Sequence, residues 1–128
     1  MKFVALGDSF TEGVGDVDQL RPNQVRGWAD RVAEVLCAQG DWQYANLAIR
    51  GKKIRQVINQ QLEAGLALEP DLVTIYAGGN DILRPKVDIN SLMGGYEGMV
   101  QRFTDSGAKV VLFTGFDTAD SPLFSRTR

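Results

Sequence analysis

Three short loops in this sequence carry groups that suit attack on a carbonyl carbon. Ser9 lies in GDSFTEG, Gly51 in NLAIRGKK and Asn80 in GGND. A serine hydroxyl becomes a nucleophile when a base removes its proton, and a glycine N–H and an asparagine amide can both donate hydrogen bonds to an oxyanion. Together the three residues predict a nucleophile with the donors of an oxyanion hole.

Each of these residues also has an ordinary structural interpretation. Ser9 opens SFTE, which has the spacing of a capping box, so Ser9 is either a helix cap or an exposed hydroxyl on a strand-to-helix turn. Gly51 tolerates a positive φ ahead of a helix, and Asn80 suits a turn after glycine. The chain also lacks the second glycine of the G-x-S-x-G elbow. The prediction therefore depends on the combination of the three residues.

The apolar residues predict that strands and helices alternate along the chain. The predicted strands cover residues 3–6, 42–48, 71–77 and 109–115, and the predicted helical patterns cover residues 28–37, 54–66 and 92–103. Such alternation indicates a parallel sheet with helices on both faces. Ligands of such sheets bind outside the carboxyl ends of the strands, where Ser9, Gly51, Asn80 and the polar loop 115–121 are found.

The first predicted helix has its apolar positions at Trp28, Val32, Val35 and Leu36. Cys37 follows the same pattern, so we expect a buried structural thiol there. We expect Trp28 to pack between helix and sheet rather than to contact a substrate.

Composition limits the class of protein further. A chain of 128 residues with 44% hydrophobic residues is expected to form a single domain over 1–128. Fourteen basic against sixteen acidic residues give a net charge of −2, which does not favour nucleic acid as a partner. One cysteine and no histidine exclude an internal disulfide and a zinc site. The apolar run near Met1 is too short for a signal peptide or a membrane span, so we expect a cytoplasmic protein without membrane contact.

GDSFTEG, NLAIRG and GGND, in this order, resemble the first three sequence blocks of the SGNH hydrolases, also called GDSL-type esterases and lipases. The resemblance implies a three-layer α/β/α sandwich with a flavodoxin-like parallel sheet of strand order 2-1-3-4-5. It implies that Ser9 is the nucleophile, and that the N–H groups of Ser9 and Gly51 and the Asn80 amide bind the oxyanion. Asp8 and Asp81 would brace these loops. The implied reaction cleaves a small-molecule carboxylic ester through an acyl-enzyme, and it needs no metal or organic cofactor.

The sequence departs from that family in its catalytic base. SGNH hydrolases use a histidine in a late D-x-x-H block, and this sequence contains no histidine and ends at SPLFSRTR. We expect the amino-terminal portion of a longer hydrolase, truncated before the last strand and the histidine loop and nearly inactive alone. The alternatives are an enzyme with a substitute base, for which Lys52, Lys53 or a carboxylate would have to serve, and a catalytically inert module that binds an acyl or anionic ligand. A nucleotide binder is disfavoured because neither G-x-G-x-x-G nor a P-loop is present.

The fourth predicted strand raises one further expectation. Without a fifth strand beside it, strand 109–115 would form an exposed apolar edge of the sheet. Such edges pair readily with other chains, so self-association through this strand is expected.

Overall fold

The computed structural model describes residues 1–83 and 86–113 of the chain. Its four strands, β1 Lys2–Gly7, β2 Gln43–Asn46, β3 Leu72–Tyr76 and β4 Lys109–Leu112, form a parallel sheet of order β2-β1-β3-β4. Its helices are α1 Ser9–Glu12, α2 Trp28–Gln39, α3 Ile54–Val57, α4 Glu63–Ala67, α5 Gly79–Ile82 and α6 Ile89–Asp105, and a π-helical turn, Ile58–Leu62, joins α3 to α4. The strand order agrees with the first four positions of the expected 2-1-3-4-5. None of the helices described combines the length and the hydrophobicity needed to cross a membrane.

The central strand β1 is buried on both faces, because each face carries a layer of helices. Val4 and Leu6 pack with residues of the π-turn and α6, whereas Phe3 and Ala5 pack against α2. The continuous apolar run FVAL is typical of a strand in this position. The predicted three-layer α/β/α sandwich is therefore confirmed.

Strand β4 lies at one edge of the described sheet. Val111 and Leu112 are 45% and 47% exposed there. The last two residues of the predicted strand 109–115, and the loop 115–121, lie outside the described residues. Self-association through this edge stays a prediction.

The apolar face predicted for α2 is half wrong, because Trp28 and Leu36 pack toward the sheet but the two valines do not. Val32 and Val35 are 40% and 56% exposed, whereas Ala29 and Ala33 are buried against the sheet. The two small alanines let the helix backbone approach Phe3 closely, so this side of the helix faces the sheet and the valines point outward.

Cys37 is exposed, so the expected buried thiol is wrong as well. It lies in the last turn of α2, and its Sγ is 3.3 Å from the carbonyl oxygen of Trp42. The neighbouring Leu36 packs toward the sheet instead. Trp28 packs against the same sheet face, as expected.

Helix α6 contains a glycine whose replacement should stabilise the fold. A Cβ added at Gly98 would meet no atom within 4 Å, so Gly98→Ala is expected to raise the free energy of unfolding by about 0.5–1 kcal/mol through lower backbone entropy of the unfolded chain. Gly95→Ala is the control, because its Cβ would lie 3.0 Å from Ile58 Cδ1 and should give a smaller gain. Urea denaturation measures both, and an equal or larger gain for Gly95→Ala would contradict this account.

Glu34 on α2 ties the preceding polar loop to the helix. Its carboxylate binds Arg21 and Arg26, with Arg26 Nε 2.8 Å from Oε1. The hydrogen bond from Arg26 lowers the pKa of Glu34 from 4.5 to about 2. Since the folded pKa is the lower one, the stabilisation is present above pH 4.5 and is lost as pH falls toward 2.

The pH dependence of Glu34→Gln tests this ion pair. The urea midpoint of the variant should lie below that of the parent above pH 4.5, and the gap should close as pH falls toward 2. Added salt should narrow the gap, because the partners are partly exposed. Glu97→Gln is the control, since Glu97 is exposed and forms no ion pair with the rest of the described chain. A gap that is constant with pH would contradict the assignment.

Candidate active site

Ser9 occupies the turn between the central strand and a short helix. It is the first residue of α1 and is partly exposed. The cap of the helix is Asp8, whose carboxylate accepts a hydrogen bond from the Phe10 N–H at 3.3 Å. The serine hydroxyl has no hydrogen-bond partner among the residues that the structure describes. Of the two interpretations of Ser9, the helix cap is therefore excluded.

The strand that leads to Ser9 ends in a glycine that no other residue could replace easily. Gly7 has a φ of +149°, and a Cβ there would lie 2.2 Å from the carbonyl oxygen of Tyr76 on β3. The end of β1 thus lies very close to the β3 backbone. This contact places the Ser9 turn beside the loop that follows β3.

Gly51 lies in the loop between β2 and α3, with a φ of +77°. A Cβ added there would meet nothing within 4 Å, so the positive φ and not a lack of space favours glycine. The positive φ expected at Gly51 is confirmed, and the use of its N–H as an oxyanion donor stays a prediction. Gly51 is exposed, so a ligand can approach its backbone.

Asn80 lies in α5, directly after β3, and its side chain is fixed by a hydrogen bond. Its Nδ2 donates to the carbonyl oxygen of Lys52 at 2.9 Å. A side-chain amide carries two N–H donors, so this bond orients the amide and leaves one donor for a ligand.

Direct bonds tie the three loops together. Arg50, immediately before Gly51, donates from its backbone N and its Nε to Glu12 of α1, each at 3.0 Å. Lys52, immediately after Gly51, accepts from Asn80. Gly51 therefore lies between one residue bonded to the helix that Ser9 begins and another bonded to Asn80. The structure brings the three predicted residues together at the carboxyl ends of the strands.

The register of the strands also places the Ser9, Gly51 and Asn80 loops side by side. β1 lies between β2 and β3, with Ala5 opposite Asn46 and Gly7 opposite Tyr76. Beyond the end of β2, the Ile49 N–H still donates to the Gly7 carbonyl at 3.2 Å. All three loops thus leave the sheet at its carboxyl edge.

Two buried aspartates brace these loops, as the resemblance implied. Asp8 and Asp81 are only 5% and 6% exposed. Asp8 caps α1, and Asp81 Oδ2 accepts from the Ile54 N–H at 2.9 Å, which holds the start of α3 against the Asn80 loop. Burial raises the pKa of Asp8, and the charge of Asp81 acts in the same direction.

Sequence reasoning missed Glu12 and Arg50, which join the first two loops. They are 38 residues apart and form a pair only because β1 and β2 are neighbours in the sheet. In the sequence only their opposite charges could indicate this pair, and many other pairs of residues in the chain have opposite charges as well.

An apolar cleft of about 760 Å³ opens beside Asn80, between α5, α6 and the end of β3. Gly79, which precedes Asn80, lines one side, and Tyr76, Ile82 and Leu92 contribute apolar surface. A cleft of this size and character suits the apolar part of a small molecule.

The comparisons with known proteins agree with this geometry. Residues 5–128 match the model of the GDSL-like lipase/acylhydrolase family. The chain therefore belongs to this family of ester-hydrolysing enzymes. A search of curated protein sequences finds no match.

Several solved structures share the fold. TesA is 29% identical, with a TM-score of 0.77, over 99% of this chain and 70% of that one. A catalytic mutant of the acetylxylan esterase Axe2 from Geobacillus stearothermophilus, with a histidine replaced by alanine, is 22% identical, with a TM-score of 0.78, over 98% of this chain and 66% of that one. The psychrotrophic esterase EstA from Pseudoalteromonas sp., inhibited by monoethylphosphonate, is 22% identical, with a TM-score of 0.74 and coverages of 98% and 66%. This chain thus spans 66–70% of the length of these three proteins.

Proposed function

We propose that the protein hydrolyses carboxylic esters through an acyl-enzyme on Ser9. One observation carries the proposal: Gly51 lies between two residues that bond to the Ser9 helix and to Asn80, so a nucleophile and two oxyanion donors share one edge of the sheet. The Ser9 hydroxyl has no hydrogen-bond partner among the described residues, so it is available to attack a carbonyl carbon.

In the proposed reaction, Ser9 Oγ bonds to the ester carbonyl carbon while its proton passes to a base. The carbonyl π electrons move to oxygen, and the N–H groups of Ser9 and Gly51 and the Asn80 amide bind the resulting oxyanion. When the oxyanion collapses, the bond to the alcohol oxygen breaks, and the alcohol leaves with the proton from the base. Water then attacks the acyl-Ser9 ester in the same way and releases the carboxylic acid.

We also propose that the base is a histidine outside these 128 residues. The sequence contains none, and the chain spans 66–70% of the length of its structural relatives. Catalytic mutants of Axe2 replace either a histidine or a serine by alanine, which supports the same pairing here. Lys52 and Lys53 are weaker candidates, because neither Nζ forms a hydrogen bond with the Ser9 hydroxyl in the described part of the chain.

The apolar cleft beside Asn80 supports an ester with an apolar acyl or alcohol group as the substrate. Its lining residues are mostly aliphatic or aromatic, so burial of hydrocarbon would contribute binding energy there. A cytoplasmic location stays a prediction.

Intact mass and activity of the native protein, purified from its source, test the proposal. We expect a mass well above 14.1 kDa and hydrolysis of p-nitrophenyl acetate, with almost no hydrolysis by the 128-residue chain alone. A native mass of 14.1 kDa without turnover would contradict the proposal. It would favour the alternative, an inert module that binds an acyl or anionic ligand in the same pocket.

A further inference from the structure

Gln61 is a polar side chain in the core, beneath the Ser9 turn. It is 2% exposed, in the middle of an otherwise apolar helix surface. Burial of an amide is costly unless its donor and acceptor are both paired, so its partners show what it does.

Both partners of Gln61 belong to one residue of β1. Its Oε1 accepts from the Gly7 N–H at 2.9 Å, and its Nε2 donates to the Gly7 carbonyl at 3.0 Å. The pairing of β1 with β2 ends at Ala5 and Asn46, two residues before Gly7. The glutamine amide therefore binds the backbone of β1 just beyond the last pair of that ladder, where the Ile49 N–H shares the Gly7 carbonyl at 3.2 Å and Gln61 is the partner of the Gly7 N–H.

The position of Gln61 depends on the π-helical turn that joins α3 to α4. Gln61 and Leu62 are the buried residues of this turn, Ile58–Leu62. A π-turn contains one residue more than an α-helical turn and is often found at functional sites. The wider turn accommodates a long polar side chain beneath the end of β1.

The same helical segment is also bonded to the proposed oxyanion loop. At its start, the Ile54 N–H donates to Asp81, the residue after Asn80. At its π-turn, Gln61 binds Gly7, two residues before Ser9. One continuous helical segment thus contacts the loop of the nucleophile and the loop of an oxyanion donor.

We propose that Gln61 is a positioning residue, which holds the Ser9 turn in register with Asn80 through both polar atoms of Gly7. The inference rests on the proposed hydrolysis by Ser9. Misplacement of a reacting group by about 1 Å can lower a rate about 10²-fold, so loss of the two bonds should affect the chemical step.

The test compares Gln61→Leu with the parent native protein. Leucine keeps much of the volume but cannot bond to Gly7, so kcat for p-nitrophenyl acetate should fall about 10²-fold while KM is unchanged. Gln60→Leu is the matched control, because Gln60 is the exposed neighbour on the same turn, and it should keep the parent kcat. All variants are assayed at a temperature at which circular dichroism shows them to be folded.

Gln61→Glu separates positioning from a purely structural role. A protonated carboxyl group accepts and donates as the amide does, whereas a carboxylate only accepts, and burial raises the pKa of the new group. The ratio of the kcat of this variant to that of the parent should approach one at low pH and fall as pH rises. If Gln61→Leu does not fold, the pH dependence of kcat in Gln61→Glu alone tests the positioning role.

The outcomes distinguish this inference from the proposed function. A parent-like kcat in Gln61→Leu, or a ratio for Gln61→Glu that is constant with pH, would overturn the role of Gln61 alone. Absence of Ser9-dependent hydrolysis in the parent would overturn the proposed function and this inference with it.

Discussion

Replacement of Ser9 by alanine is expected to lower kcat for ester hydrolysis by the native protein about 10⁶-fold, the loss typical of a missing nucleophile in a serine hydrolase. Alanine removes the attacking Oγ and leaves the backbone N–H in place. The fold should be unaffected, because Asp8 and not Ser9 caps α1. Kinetics with p-nitrophenyl acetate and the urea midpoint of the same preparation measure both effects.

Ser91→Ala is the matched control for this experiment. Ser91 lies exposed in the first turn of α6, and its hydroxyl accepts a long hydrogen bond of 3.4 Å from Arg55, so its replacement should leave kcat unchanged. Parent-like activity in Ser9→Ala would contradict the role assigned to Ser9. A large fall in the free energy of unfolding would instead indicate a structural role for its hydroxyl.

Replacement of Asn80 by alanine is expected to lower kcat about 10²–10³-fold, the usual effect of removing one oxyanion donor. KM should change little, because the interaction strengthens as negative charge develops on the carbonyl oxygen. The hydrogen bond to Lys52 is lost as well, so a modest decrease in stability should accompany the kinetic effect. Steady-state kinetics and urea denaturation separate these two effects.

Two further variants make the Asn80 result specific. Asn59→Ala removes an exposed asparagine from the π-turn and should leave kcat unchanged. Asn80→Asp keeps the shape but replaces the donor by a negatively charged acceptor, so its kcat should fall at least as far as that of Asn80→Ala. A parent-like kcat in Asn80→Asp would exclude Asn80 from the oxyanion hole.

Most of the fold follows from local patterns in the sequence. FVAL and LVTIY are short, mostly apolar runs rich in β-branched or aromatic residues, a composition typical of strands buried on both faces. The face of α2 could not be predicted in this way. Hydrophobicity selects Val32 and Val35, but close contact with the sheet selects the smaller Ala29, and this contact depends on the tertiary fold.

The candidate site was predictable in its residues but not in its connections. Ser9, Gly51 and Asn80 each follow a predicted strand, so the rule for parallel sheets indicates that they lie at one edge. The bonds that hold them, such as Arg50 to Glu12 and Asn80 to Lys52, join residues distant in sequence. No local pattern indicates such bonds.

The contact of Gln61 with Gly7 could not be predicted from local sequence patterns either. In the sequence Gln61 is one of two adjacent glutamines in a helical pattern, and nothing distinguishes it from Gln60. The π-turn buries Gln61 and leaves Gln60 exposed. The turn type, and with it the contact with Gly7, becomes evident only in the folded chain.

Reaction of the native protein with a fluorophosphonate probe, followed by peptide mapping, tests the central claim most directly. Such probes phosphonylate a serine only when it is activated as a nucleophile, so the mass of the adduct reports both reactivity and position. We expect one adduct, on Ser9, and no adduct in Ser9→Ala. An esterase-active protein that is labelled at another residue, or is not labelled at all, would contradict the role of Ser9 as the nucleophile.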